Sequence, residues 1–149
     1  MPQQRAKRLA PVIALAERAE REAARQFGQC QGLAGQAQGK LNDLEGYRSD
    51  YQQQWLSEGQ HGVSGQWLMN YQRFLAQLEV AVGQQRQTLA WHQDNSNKAR
   101  ALWQARYARL EGLRKLVQRY ADEGRQVEAK REQKLFDELS QQMRARDQD

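Results

Sequence analysis

Three side chains in this sequence are of the types that bind transition metals or act as nucleophiles and bases near neutral pH: Cys30, His61 and His92. A structural zinc site needs four soft or nitrogen donors at close, repeated spacings. Neither histidine has a cysteine or a carboxylate cluster at such a spacing, so the sequence predicts no metal site. Cys30 falls on a seven-residue row of small and apolar residues and reads as a packed side chain rather than a nucleophile. His92 lies on a comparable row and reads as structural. No glycine-rich stretch ends in Lys-Ser or Lys-Thr, the arrangement that cradles nucleotide phosphates. The expectation is a protein that is not an enzyme, with no cofactor and no direct small-molecule substrate.

What remains is the chemistry of binding. Of the 12 aromatic residues, six lie between positions 47 and 74: Tyr47, Tyr51, Trp55, Trp67, Tyr71 and Phe74. Charge is concentrated elsewhere. Residues 1–26 carry six basic and three acidic side chains, residues 100–149 carry twelve and nine, and residues 27–99 carry five and six. The net +5 therefore comes from the two terminal segments. A basic patch draws an acidic partner through its long-range field. It reads equally as a solvated helix face with ion pairs one turn apart. Interleaved Glu and Asp dilute the basic residues and argue against nucleic acid.

The elements that must carry these groups are helices. The chain has 149 residues, 39% of them hydrophobic and 28% charged, with a mean hydropathy of −1.02. That is too little apolar mass for an ordinary core and suits a coiled coil, which buries one stripe per helix. Prolines occur only at Pro2 and Pro11, and glutamine occurs 25 times. A single cysteine forbids an internal disulfide and suits a reducing compartment. No apolar run approaches the roughly 20 residues of a membrane span, and the basic N-terminus lacks the apolar stretch of a secretory signal.

Gly59, Gly62 and Gly65 mark one turn, after which Ser64 can cap a second helix. Every seventh residue of the first half reads Leu9, Ala16, Ala23, Cys30, Ala37, Leu44, Tyr51. A companion row runs Val12, Ala19, Gln26, Leu33, Lys40, Tyr47, with Ile13, Phe27, Ala34, Leu41 and Trp55 one position later. The second half repeats the period through Leu68, Leu75, Val82, Leu89, Ser96, Trp103, Leu110 and Val117, and through Tyr71, Leu78, Gln85, His92, Ala99, Arg106, Leu113 and Tyr120. A strict seven-residue period gives a left-handed coiled coil. Folding near residue 62 makes facing positions sum to about 125 and sets apolar against apolar: Leu9 with Leu116, Leu44 with Ala81, Tyr47 with Leu78, Tyr51 with Phe74. The fold class is all-α, a long two-helix antiparallel coiled-coil hairpin with a C-terminal helical overhang, at about 1.5 Å per residue a rod of roughly 80–90 Å.

Residues 1–149 form a single domain in this reading. Helix 1 covers about 3–58, the turn about 59–65 and helix 2 about 66–143, with the overhang from about 121. Leu135, Leu139 and Met143, with Phe136 beside them, give that tail an apolar stripe; it reads as a frayed solvated end or as a docking surface. Gly28, Gly32, Gly35 and Gly39 stand opposite Thr88, His92, Asn95 and Ser96. They read either as close packing of small faces or as a soft, bendable waist. Six large rings exceed what two helices can hide, so some of those beside the turn stay open as a protein-binding patch.

Between Leu41 and Arg86 the chain carries Leu41-x-x-Leu44-x-x-Tyr47-Arg48-x-x-Tyr51, the glycine-containing turn, and Asn70-Tyr71-x-x-Phe74-Leu75-x-x-Leu78. On these elements the stretch resembles the FliJ family of bacterial flagellar type III export. Chain length, turn position and basic termini extend it to the whole. The resemblance implies a two-helix stalk similar to the central subunit of rotary ATPases. Its terminal end would insert into the flagellar export ATPase hexamer and promote ring assembly and ATP hydrolysis. Its tip would contact the cytoplasmic domain or linker of the membrane export gate, and export chaperones would be bound and recycled. By position, the gate patch would be Leu44, Tyr47, Tyr51, Phe74, Leu78 and Ala81. The charge distribution adds Lys7, Arg8, Arg114 and Lys115 as candidates for the ATPase contact. The implied location is cytoplasmic, peripheral to the inner-membrane export apparatus. Two alternatives stay open: the equivalent stalk of a virulence type III secretion system, and a basic coiled coil binding nucleic acid or an anionic membrane.

Overall fold

Two helices make up almost the whole chain in the computed structural model, which describes residues 1–148. Helix α1 runs Pro2–Gly59 and helix α2 runs Gly65–Asp147. The described residues contain no strand, so the fold is an all-α helical hairpin. Between the helices, Gly62 takes a φ of +79°, a left-handed conformation that costs glycine no Cβ clash. Ser64 then caps α2: its Oγ accepts the Trp67 backbone N–H at 3.1 Å, and its carbonyl accepts that of Leu68. Pro11 lies inside α1. A proline there withholds the hydrogen bond to the carbonyl four residues back; Pro11 is solvent-exposed, where water can satisfy that group.

The chain divides into two compact units. One joins Met1–Glu22 to Gln104–Asp149, and the other spans Ala23–Trp103. Each is held by the heptad rows. In the second unit Ala37, Leu41, Val82 and Leu89 form a buried cluster against which Leu44 packs. Two ion pairs flank that seam, Arg48–Glu79 at 3.3 Å and Arg86–Glu45 at 3.1 Å, while the Gln85 amide donates to the Ala37 carbonyl at 3.0 Å. Phe27 stacks on Trp103 with centroids 6.0 Å apart, and the Arg100 guanidinium lies over the Phe27 ring. In the first unit Ala16 and Leu110 are buried, Arg114 pairs with Glu17 at 3.5 Å, and Arg5 lies over the Tyr120 ring.

In the first unit, contacts continue beyond residue 121. Gln3 reaches Gly124, which is buried, and Met1–Gln4 line one groove with Val127, Glu128 and Arg131. Farther along α2, Leu135, Phe136, Leu139 and Met143 are all exposed.

The small-face packing reading of the glycines is wrong. A Cβ built on Gly28, Gly32, Gly35 or Gly39 meets no atom within 4 Å, and all four face solvent. The seam passes through Phe27, Cys30, Ala34 and Ala37, so the glycines one or two positions later turn outward. They lower helix propensity without any packing return. Replacing each by alanine should raise stability by up to about 1 kcal/mol per site. Thermal unfolding of the fourfold alanine variant checks this; an unchanged or lower midpoint would mean these positions leave the helix in solution.

Candidate functional site

Rings contributed by both helices stack beside the turn. Trp55 lies 5.4 Å from Trp67 and 4.6 Å from Tyr71, and Trp67 lies 5.6 Å from Tyr71, all near parallel. Tyr51 continues the stack, 4.9 Å from Tyr71 at 4° and 4.6 Å from Phe74 at 50°. These are the centroid separations at which aromatic pairs attract. Tyr71 sits at the centre, 7% exposed, and its burial pushes the phenol above its ordinary value, with the neighbouring Tyr51 adding to the effect. Trp55, Trp67 and Tyr51 are half-buried.

Two rings are left open. Phe74, at the outer end of the stack, is 46% exposed, and Tyr47, outside it, is 61% exposed. The expected facing of Tyr47 and Leu78 therefore needs correction. Two adjacent rows competed for the seam, and the one through Leu41, Arg48 and Trp55 occupies it. Leu41 is buried, Arg48 lays its stem along the seam and carries its guanidinium to Glu79, and Tyr47 turns out. Tyr47 lines a shallow groove with Lys40, Asp43, Leu44 and Gln85. Of the other patch residues, Leu78 is buried, and Leu44 and Ala81 are half-buried. The ion pairs engage Glu45, Arg48, Glu79 and Arg86, whereas the open rings sit at Tyr47 and Phe74. By helical position these sets occupy opposite flanks of the seam. One flank is thus closed by charge pairs and the other presents aromatic surface.

The basic candidates lie in the first unit and are not equivalent. Lys7, Arg8 and Lys115 are exposed. Arg114 is held between Glu111 at 3.0 Å and Glu17 at 3.5 Å, and its hydrogen bond to Glu111 raises its proton affinity further. Its charge is partly spent inside the unit. Cys30 and His92 are half-buried, His92 with Trp91 edge-on at 5.0 Å. Among the described residues no group of three or more His, Cys, Asp and Glu stands together at metal-binding distance. No described helix is long and apolar enough to cross a membrane.

A family model described as Flagellar FliJ protein matches residues 5–149. The Flagellar FliJ protein of Escherichia coli (strain K12) is 30% identical over 133 residues, which cover 89% of this chain and 90% of that protein. The Flagellar FliJ protein of Salmonella typhi is 28% identical over 127 residues, covering 85% and 86% respectively.

Proposed function

The chain belongs to the FliJ family of flagellar export components, and from that premise we propose that it is a non-enzymatic stalk and adaptor of the export machinery. In this reading the unit holding the termini enters the ring of the flagellar export ATPase, promoting its assembly and ATP hydrolysis. The aromatic flank beside the turn contacts the cytoplasmic part of the membrane export gate, which places the protein at the inner face of that membrane. Export chaperones are bound and released in the cycle. The observation that carries the reading is the pair of open rings, Tyr47 and Phe74, beside a stack whose other rings are buried or half-buried. Partly open aromatics next to a rigid scaffold are what a protein interface uses as anchors.

Purified ATPase and gate domain, each tested for capture by this chain, probe the two contacts separately. For the ATPase contact, Lys7, Arg8 and Lys115 are changed to glutamate. Arg114 is changed only to glutamine, because a glutamate there would face Glu17 and Glu111. ATPase stimulation should fall severalfold, and added salt should reproduce the loss, since exposed charges are screened over about 8 Å at physiological ionic strength. Stimulation undiminished in this variant would remove the basic unit from the ATPase contact.

A further inference from the structure

At one level of the first unit, polar and apolar side chains are exchanged. The α2 row through Leu78, Gln85, His92, Ala99, Arg106, Leu113 and Tyr120 is buried or half-buried at every position except Arg106, which is exposed. On α1, Leu15 is 64% exposed while its neighbour Ala16 is buried. These two misfits meet. Leu15, Ala16, Ala19, Arg106 and Arg109 line a groove of about 220 Å³. Two alanines on one wall are too short to fill it. The arginines on the other wall are both exposed, and ion pairs elsewhere in this unit engage Arg114, Arg119 and Arg125.

Arg106 and Arg109 are three residues apart, so they stand side by side one turn apart on α2. Two guanidiniums so placed match two carboxylates one turn apart on another helix, each through a paired hydrogen bond. Leu15 and the two alanines supply an apolar floor, which a phosphate backbone would not use. We propose that this groove docks an acidic amphipathic helix of a partner protein, with an apolar side chain seated on Leu15, Ala16 and Ala19 and two carboxylates on Arg106 and Arg109. The site is distinct from Lys7, Arg8, Arg114 and Lys115. It depends on the chemistry of this groove and not on the identity of the ATPase.

The test uses the full chain, isotope-labelled, and an alanine-based helical peptide of about 18 residues. The peptide carries one leucine and, along one flank of it, two glutamates a turn apart. Titration should give saturable shifts at the Leu15 methyls and at the Arg106 and Arg109 Nε–H signals. Affinity should fall about tenfold or more when the peptide loses its leucine or its glutamates, and likewise in Arg106→Gln with Arg109→Gln and in Leu15→Gln. Two controls should stay within about twofold. Lys7→Gln with Arg8→Gln removes equal charge elsewhere, where screening is strong, and Leu56→Gln alters another exposed leucine. Absence of saturable shifts at these groups overturns the proposal. So does an equal loss in the Lys7 and Arg8 control, which would mean attraction to the general field, or indifference to the peptide leucine. Because the probe is a peptide, any of these failures leaves the ATPase reading untouched.

Discussion

Tyr47→Ala combined with Phe74→Ala is expected to leave the helical circular dichroism and the ATPase stimulation intact and to abolish gate binding and swimming. The folding cost is small because both rings already face water. Phe74 gives up its contact with Tyr51, worth about 0.5–1.5 kcal/mol. Tyr47 lies outside the stack. Neither loss approaches the roughly 3–5 kcal/mol of deleting a buried aromatic. At an interface the balance reverses: a central aromatic anchor contributes about 2 kcal/mol or more when truncated, which is roughly thirtyfold in affinity per ring. Tyr71→Ala is the contrasting variant. It removes the buried centre of the stack and should melt the region of the turn whatever the partner does. Unfolding of the double variant at room temperature would make these rings core residues. A folded double variant whose cells swim normally would remove the gate contact from this flank.

The seven-residue rows made the hairpin legible because burial in a two-helix structure has a single period to follow. Ala16, Ala23, Ala37, Leu78, Val82, Leu89 and Leu110 are buried on the rows read from the sequence. The cap at Ser64 was legible for a local reason: a serine directly before a helical run has one strong use for its hydroxyl. The errors came where the sequence offers two adjacent rows. Between Tyr47 and Arg48, hydrophobicity favours the tyrosine for the seam. Arg48 takes it because its stem is apolar and Glu79 waits across the seam for its head, and that acid is visible only once the helices are aligned. The glycines failed similarly. Their types suggested a contact, but the side on which they lie follows from the rows that flank them. The aromatic patch was legible as a surplus of rings. Which rings stay open was not, since this depends on a one-residue difference in register.

Leu89→Ala should destabilise the protein far more than Trp91→Ala, although the second deletes the larger side chain. Leu89 is 8% exposed and closes the cluster of Ala37, Leu41 and Val82, the last only 1% exposed. A methyl at position 89 would leave a void there, and Ala37 has no atoms with which to refill it. Such a truncation costs about 2–5 kcal/mol, which for a chain of this size lowers the melting temperature by roughly 4–20 °C. Trp91, two residues on, points the other way. It is 63% exposed and touches His92 edge-on at 5.0 Å. Losing that contact is offset by the higher helix propensity of alanine, so the change should stay within about 0.5 kcal/mol. Thermal unfolding of the two variants side by side decides the order. A Leu89→Ala cost below about 1 kcal/mol would deny that cluster its role as the core. Trp91→Ala costing as much as Leu89→Ala would mean that a second molecule covers the tryptophan in solution, because within the described residues its face is left 63% exposed.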